Sequence, residues 1–298
     1  MLITSMPRYV EPLFRPPSEA RSLIFQITMG CSQNTCTFCG MYKMKRFRIR
    51  PLEEILEEIN NIPGQYKQVV DRVFLADGDG LVYPFDGLIE ILDLLAANFP
   101  RLTRVGAYAS PNSLTTKTPE QLALLKEKRL KILYLGLESG DDVTLSHIRK
   151  GFAADEMARL ALMARDAGMK LSVTAILGLA GRERSLEHAR STAAWVNRVN
   201  PEYFSLLTLF IRHNEEFVSS IAQCTHRELM LEARELLLHL NPCRTILRSN
   251  HVSNFLNLAG SYPKDRERLI RDIDVAMKKA IRYPGLLDSV PDYAEEYY

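Results

Sequence analysis

The chain has 298 residues, enough to bury a large core, and its 46% hydrophobic and 25% charged residues are typical of a folded globular protein rather than a disordered or fibrous one. Its formal net charge of +2 is too small to indicate binding to nucleic acid. No apolar run is long enough to span a bilayer, and the N-terminus lacks the layout of a secretory signal, so we expect a cytoplasmic protein.

Short apolar or β-branched runs alternate with amphipathic stretches along most of the chain. The predicted strands are Leu23–Thr28, Arg72–Ala76, Leu102–Ala109, Lys131–Leu137, Lys170–Leu177 and Tyr203–Leu207, followed by a seventh strand-like run at Thr245–Arg248. Apolar residues return every three or four positions in the predicted helices, which are Leu52–Ile62, Phe85–Asn98, Pro119–Lys128, Ala153–Ala167, Ser185–Val199, Arg227–Leu240 and Lys264–Ile281. Because each connection is long enough for a helix, we expect parallel strands with right-handed crossovers, an α/β architecture.

Three of the five cysteines, Cys31, Cys36 and Cys39, lie within nine positions directly after the first predicted strand. An odd total with this clustering does not suggest a disulfide framework. Thiolates are soft ligands, and three on one loop can hold three irons of a cubane cluster while the fourth iron stays open. The sequence therefore predicts a metal-binding loop.

Zinc is the alternative metal for this loop. A structural zinc site would need a fourth ligand, usually from a second closely spaced Cys or His pair. None is near, because the next cysteine is Cys224 and the first histidine is His147. The spacing favours an iron-sulfur cluster and leaves zinc open, and we interpret Cys224 and Cys243 as buried or incidental thiols.

The cysteine triplet, with the aromatic Phe38 just before its third member, resembles the signature of the radical S-adenosylmethionine superfamily. Four residues and then two separate the cysteines here, where three and two are usual, so the loop is longer but keeps all its ligands. The resemblance covers roughly Leu23 to Leu209. It implies a [4Fe-4S] cluster on Cys31, Cys36 and Cys39, and S-adenosylmethionine on the open iron. Its reductive cleavage would give a 5′-deoxyadenosyl radical that abstracts hydrogen from a substrate.

With this resemblance, the β-α repeats predict a partial (β/α)6 TIM-like barrel with parallel strands and C-terminal helical closure. We divide the chain into an N-terminal extension, residues 1–22, a core barrel, residues 23–209, and a C-terminal extension, residues 210–298, that closes the barrel and contacts substrate. The tail from Pro284 onward has no clear period, and we expect it at the surface.

The segment Asp77-Gly78-Asp79-Gly80 follows the second predicted strand, where the superfamily usually has a glycine-rich segment that contacts the methionyl amine of the cofactor. Glycine permits a close backbone approach, and the carboxylates of Asp77 and Asp79 could hold an ammonium. The alternative is a helix-entry loop with acidic capping residues.

Three residues at later strand ends also agree with the resemblance. Glu138 ends the fourth predicted strand and is expected to accept hydrogen bonds from the ribose hydroxyls, and Arg149 offers forked donors for the carboxylate of the cofactor. Gly178 begins a turn that resembles the one lining the adenine. The alternatives are a helix cap for Glu138 and a surface arginine for Arg149.

Asn250, His251 and Asn254 follow the seventh strand-like run, and we expect them to contact the substrate. The alternative is an Asn/Ser-rich turn that caps local backbone groups. The sequence names no catalytic residue that acts on the substrate.

A basic stretch follows the cysteine loop, with Lys43, Lys45, Arg46, Arg48 and Arg50 interleaved with apolar residues. We interpret it as a solvated basic face. The alternative is a docking surface for an acidic flavodoxin or ferredoxin that supplies electrons, or for an anionic substrate.

The sequence as a whole predicts a radical S-adenosylmethionine enzyme that acts on a small-molecule substrate. Two alternatives stay open. One is an iron-sulfur or zinc protein without radical activity, and the other is a radical enzyme that modifies RNA or peptide. We do not expect a nucleic-acid partner, because the chain shows no obvious room for an added RNA-binding domain.

Overall fold

The structure is a computed structural model that describes residues 5–210, 213–280, 282–283 and 285–291. The described residues form an α/β fold with a mostly parallel sheet of eight strands and a separate two-stranded ribbon. The strands are β1 (Leu23–Gln26), β2 (Thr28–Met29), β3 (Arg48–Ile49), β4 (Arg72–Ala76), β5 (Arg104–Ala109), β6 (Leu130–Glu138), β7 (Lys170–Leu177), β8 (Tyr203–Thr208), β9 (Ile246–Ser249) and β10 (Leu258–Ser261).

Helices occupy most of the connections between the strands. They are α1 (Leu52–Asn61), α2 (Gly64–Lys67), α3 (Phe85–Asn98), α4 (Pro111–Thr115), α5 (Pro119–Glu127), α6 (Asp142–His147), α7 (Ala154–Asp166), α8 (Gly181–Val199), α9 (Glu215–Ser219), α10 (His226–His239) and α11 (Arg266–Ala280). Among the described residues, none of these helices is both long and apolar enough to cross a membrane.

The chain divides into two compact units. The first contains the described residues up to Asn34, together with Met41–Leu135 and Leu160–Leu171. The second contains Thr35–Gly40, Gly136–Arg159 and the described residues from Ser172 onward.

In the first unit, β1, β4, β5 and β6 are parallel neighbours in that order. The helices on this sheet follow from the apolar spacing: α3 buries Leu88, Ile91, Leu92 and Leu95, which recur on one helical face. The antiparallel ribbon of β2 and β3 brings the residue before the cysteine loop next to the basic stretch, with Met29 opposite Arg48.

In the second unit, β7, β8 and β9 are parallel neighbours, and β10 pairs antiparallel with β9. Helix α10 packs against both α8 and α11. A Thr225–Glu228 capping box starts α10. Asn200, in a left-handed conformation, ends α8.

The predicted α/β class with parallel strands is confirmed, and the structure agrees with the predicted bounds of Arg72–Ala76, Phe85–Asn98 and Lys170–Leu177. Helix α8 begins at Gly181, four residues before the predicted start at Ser185. The prediction missed this first turn because Arg182–Arg184 are all polar and show no apolar period. The short strands β3 and β10 were not predicted. Pro284, Ile281 and residues 292–298 lie outside the described residues, and the division at residues 22 and 209 stays a prediction.

A buried carboxylate links the N-terminal segment to the sheet of the first unit. Glu19 ends a single 3₁₀ turn, Pro17–Glu19, and its side chain is fully buried. Its carboxylate accepts hydrogen bonds from Arg104, at 2.6 Å, and from the hydroxyls of Tyr134 and Ser22. A carboxylate removed from water needs such donors, so the N-terminal segment packs at one defined place.

We expect Glu19→Ala to destabilise the protein by about 3 to 5 kcal/mol, because it leaves the largely buried Arg104 guanidinium without its partner. Urea unfolding followed by circular dichroism measures this loss. The control is Glu127→Ala, which removes an exposed carboxylate at the end of α5. It should change the free energy of unfolding by less than about 0.5 kcal/mol. Equal stability of the two variants would contradict the anchoring role of Glu19.

Candidate functional site

The three clustered cysteines follow β2, and each is half-buried and outside any disulfide. Among the described residues, no group of three His, Cys, Asp or Glu side chains is arranged to hold a metal ion. The three thiols nevertheless form a soft donor set on one loop, which contacts described below hold in place.

In the first unit, two hydrogen bonds hold the start of the cysteine loop. The amide of Gly30 donates to Oδ2 of Asp77 at 2.9 Å, and the carbonyl of Gly30 accepts from the amide of Gly78 at 3.0 Å. A Cβ on Gly78 would lie 2.8 Å from Cβ of Cys31 and 2.9 Å from the ring of Tyr42. Glycine is therefore required at position 78, and Cys31 packs directly on the turn after β4.

The same Asp77 oxygen accepts a hydrogen bond from the ammonium of Lys45, at 2.9 Å, and both side chains are almost completely buried. Lys45 also donates to the carbonyls of Val10 and Pro12. Its three donors are thus all used, and the expectation of a solvated basic face is wrong at this residue. A buried ammonium needs this many acceptors to offset its lost hydration.

Arg50 is the second buried member of the basic stretch. It donates to both carboxylate oxygens of Glu58 and to the carbonyl of Gln26. The solvated face therefore consists of Lys43, Arg46 and Arg48, which are exposed.

Asp79 is fully buried, and one of its oxygens accepts hydrogen bonds from the hydroxyls of Ser32, on the cysteine loop, and Ser110, after β5. Its other oxygen, Oδ1, has no hydrogen-bond partner in the part of the chain that the structure describes. Burial raises the pKa of the Asp79 carboxyl, and the bonds from Ser110 and Ser32 oppose this. Asp79 thus holds the loop with one oxygen and keeps a second acceptor unused.

Lys117 is a buried cation of the first unit that the sequence did not single out. Its ammonium donates to the hydroxyl of Thr116 at 2.8 Å. Burial lowers its pKa to about 8, and the charge of Asp79 opposes this shift, which shows that the two groups interact electrostatically.

In the second unit, backbone contacts hold the segment that carries the other two cysteines. The amide of Thr37 donates to the carbonyl of Ile148 at 3.0 Å, and the side chain of Asn214 donates to the carbonyl of Phe38 at 2.6 Å. The Phe38 ring packs edge-on against Phe217. The aromatic residue of the motif is thus a packing anchor for the loop.

Cys36 lies in a mixed electrostatic environment. Burial raises the pKa of its thiol, the Lys150 ammonium lowers it, and the Glu138 carboxylate raises it. Lys150 is therefore the cation close to this thiol, and it favours the thiolate form that metals bind.

Glu138 has a left-handed backbone, with φ of 65°, and its carboxylate folds back over Gly136, where a Cβ would lie 2.0 Å from Oε1. The Lys150 ammonium lies 3.2 Å from the same oxygen, and both side chains are mostly buried. Arg149, which was predicted to act with Glu138, has an exposed side chain, as its surface alternative expects. The cation that Glu138 contacts is Lys150, the residue after Arg149.

Gly178 follows β7 with φ of 79°, a conformation that favours glycine. A Cβ there would lie 2.9 Å from Cδ2 of Leu229. The predicted turn at this strand end is therefore present, and it continues directly into α8.

The predicted substrate residues differ in their contacts. The amide group of Asn254 donates to the carbonyl of Leu206 and to Ser249, and its oxygen accepts from Thr208. Nδ1 of His251 lies 2.8 Å from the Ser253 hydroxyl. Asn250 is exposed. The contacts of Asn254 tie the ends of β8 and β9 together and differ from the local backbone capping of the alternative, because Leu206 and Thr208 lie 48 and 46 positions away in the chain.

A small pocket lies beside Asn254 in the second unit. It opens between the ends of β7, β8 and β9, at Leu177, Thr208 and Ser249, and its walls are mostly apolar. His226 also lines it, and its Nδ1 is buried without a hydrogen-bond partner among the described residues. The cavity is mainly apolar, with one polar atom unused.

The sequence profile of the radical SAM superfamily matches residues 25–194, more than half of the chain. Two curated proteins are similar: a provisionally named methylthiotransferase of Methanocaldococcus jannaschii, 27% identical over 48% of this chain, and a tRNA-2-methylthio-N(6)-dimethylallyladenosine synthase of a Roseiflexus species, 30% identical over 53%. The aligned segments cover 32% and 34% of those two proteins, so the chain spans about a third of the length of these relatives.

Among solved structures, the radical S-adenosylmethionine methyltransferase TsrM from Kitasatospora setae has a similar fold, with a TM-score of 0.54. Its sequence is 18% identical, and the alignment covers 66% of this chain and 39% of that one. At this identity the likeness shows the fold alone.

We expect Lys45→Ala to destabilise the protein by about 3 to 5 kcal/mol, because it leaves the carboxylate of Asp77 buried without its cation. Chemical denaturation of the metal-free protein measures this effect. Arg46→Ala is the matched control, since it removes a neighbouring but exposed charge. If both variants unfold at the same denaturant concentration as the wild type, the Lys45–Asp77 pair does not hold the loop.

Proposed function

The chain belongs to the radical SAM superfamily, whose members use a [4Fe-4S] cluster and S-adenosylmethionine, and we propose that it is an enzyme of that chemistry. When bound, these cofactors supply the reductive cleavage that yields a 5′-deoxyadenosyl radical for hydrogen abstraction from a substrate. The observation that carries the proposal is the cysteine loop, which the Gly30, Asp77 and Gly78 contacts hold against a strand end within the matched region.

Three thiols on one short loop are the donor set that a cluster with one open iron requires. We propose that Cys31, Cys36 and Cys39 are these ligands. Burial raises the pKa of the Cys36 thiol, and the Lys150 ammonium opposes this rise. Cys224 and Cys243 are excluded from it by our proposal, because both lie far along the chain from the loop and beyond the region that the superfamily profile matches.

We propose that the amine of S-adenosylmethionine binds at the turn after β4. The unused and fully buried Oδ1 of Asp79 can accept a hydrogen bond from an ammonium. Gly78 and Gly80 allow the tight packing of this turn, because a side chain at either position would collide with Cys31 or with the Leu75 carbonyl. Asp77 holds the loop through the oxygen that accepts from Gly30 and Lys45, and its other oxygen, Oδ1, is a second buried acceptor without a partner among the described residues.

Glu138, Arg149 and Gly178 are the residues that we propose for the remaining parts of the cofactor. The folded-back carboxylate of Glu138 is held by Lys150, which orients it and leaves acceptor sites for the two ribose hydroxyls. The exposed Arg149 can turn its guanidinium toward the carboxylate of the cofactor.

For the substrate, we propose a small molecule with an apolar part that enters the cavity beside Asn254. Asn250 and His251 would contact its polar part at the entrance. Methylthio transfer to RNA is the second candidate, because both curated relatives carry methylthio-transfer names.

We also propose that the exposed part of the basic stretch is the binding surface for the protein that donates electrons. Lys43, Arg46 and Arg48 surround the exposed Met44 and Ile49, a mixture that suits an acidic flavodoxin or ferredoxin. The reducing cytoplasm is the compartment in which such donors and free thiols occur together.

Anaerobic reconstitution tests the cluster ligands. We expect about four irons and four sulfides per chain, and loss of both in Cys31→Ala, Cys36→Ala and Cys39→Ala. Cys224→Ala and Cys243→Ala are the controls and should keep the cluster. With dithionite and S-adenosylmethionine, only cluster-containing proteins should form 5′-deoxyadenosine. One zinc per chain, or a cluster without 5′-deoxyadenosine, would contradict the proposal. Sulfur incorporation into added tRNA would favour the second candidate.

Glu138→Ala should keep the cluster but weaken S-adenosylmethionine binding by about 1.5 to 3 kcal/mol, because it removes a charged acceptor for the ribose hydroxyls. Isothermal titration of the reconstituted protein measures the affinity. Glu187→Ala is the control, since it removes an exposed carboxylate from α8. Unchanged affinity in Glu138→Ala would assign Glu138 to a purely structural role.

A further inference from the structure

Glu232 is a fully buried carboxyl on α10, beyond the region that the superfamily profile matches. The cofactor residues proposed above do not include it. Burial raises its pKa to about 7, while hydrogen bonds from Ser185 and Gly178 oppose this. An apolar residue of similar size would avoid the desolvation cost, so the presence of a carboxyl here indicates a specific contact.

Its two oxygens contact both sides of the turn after β7. Oε1 accepts from the amide of Gly178 at 2.9 Å, and Oε2 accepts from the hydroxyl of Ser185, in the first turns of α8, at 2.6 Å. Leu229, one turn earlier on α10, occupies the space that a side chain at position 178 would need. Helix α10 therefore fills the space beside this turn with Leu229, and its Glu232 accepts the hydrogen bond from the buried Gly178 amide.

A second set of contacts extends from Glu232 to the end of β6. Nε2 of the fully buried His188 lies 3.5 Å from Oε1 of Glu232, a packing contact without a hydrogen bond, and its Nδ1 lies 2.8 Å from the hydroxyl of Ser139. Burial lowers the pKa of His188 to about 4, so the ring is neutral at pH 7. Ser139 directly follows Glu138 and accepts a hydrogen bond from the amide of Asp141 at 2.9 Å.

These contacts join two strand ends, at Glu138 and Gly178, that are proposed to touch S-adenosylmethionine. We infer that Glu232 is a positioning residue for the binding of S-adenosylmethionine, acting directly on Gly178 and through His188 and Ser139 on the end of β6. This inference rests on the proposed function. It assigns to the C-terminal part of the chain a role in cofactor affinity.

The test compares Glu232→Ala and Glu232→Gln with Glu235→Ala, which removes a carboxylate one turn later on α10 that pairs with Arg190 at the surface. Glutamine keeps an oxygen that can accept from Gly178, whereas alanine removes both acceptors. Glu232→Asp, whose side chain is too short to hold Gly178 and Ser185 together, provides a milder variant if Glu232→Ala does not fold.

Two measurements are made on each variant. Amide hydrogen exchange of the protein without S-adenosylmethionine reports on peptides that contain Gly178 and Ser139, and titration with S-adenosylmethionine reports its affinity, with iron content measured in parallel. We expect Glu232→Ala to speed exchange at both peptides and to weaken binding by about tenfold with unchanged iron content. Glu232→Asp should show smaller changes in the same direction, and Glu232→Gln should bind within about threefold of the wild type.

Binding in Glu232→Ala and Glu232→Asp as tight as in Glu235→Ala would overturn the inference, even if exchange at Gly178 were faster. Equal loss of affinity in Glu232→Gln would also overturn it, because the acceptor for Gly178 would then not be the feature that matters. If the reconstituted wild type does not bind S-adenosylmethionine, the proposed function itself fails, and the positioning role toward this cofactor fails with it.

Discussion

The contact between Gly30 and the turn Asp77–Gly78 is the constraint on which the cysteine loop depends. The Gly30 amide donates a hydrogen bond to the Asp77 carboxylate, and the Gly30 carbonyl accepts one from the Gly78 amide. Both backbone polar groups of Gly30 are therefore used. Neither Gly30, with φ of 73°, nor Gly78, packed against Cys31, readily accepts a side chain. The first thiol of the loop is thereby held at the end of β4 by the backbone geometry of the neighbouring glycine.

Buried carboxylates contact several strand ends of this fold and hold them in place. Asp77, Asp79, Glu138 and Glu232 each accept hydrogen bonds or an ion pair from protein groups. A buried carboxylate is costly when its donors are removed, so each of them fixes the position of the segments that supply those donors. In the proposed cofactor site, the groups that bind the ligand and the groups that hold the loops are thus partly the same.

The chain shares with its curated relatives about half of its length, and the superfamily profile ends at residue 194. The described residues beyond that point supply Asn214, which holds the Phe38 carbonyl, most of the cavity walls beside Asn254, and Glu232. Superfamily membership therefore accounts for the cofactor chemistry, whereas the features that we propose for substrate contact and for positioning lie in the part that the profile does not cover.

The sequence by itself determined the α/β class, most strand and helix bounds and the cysteine loop, because apolar periodicity and cysteine spacing are local patterns. Only the tertiary structure decided which charges are buried. Lys45 and Arg50 lie among exposed basic residues in sequence, yet both are buried through carboxylates supplied by distant segments or a later helix. Likewise, Lys150 and not Arg149 contacts Glu138. Glu232 has the helical spacing of an ordinary polar residue, and its contact with Gly178, 54 positions away, depends on how α10 packs against α8. These pairings depend on how the elements pack, so the apolar period and the cysteine spacing do not record them.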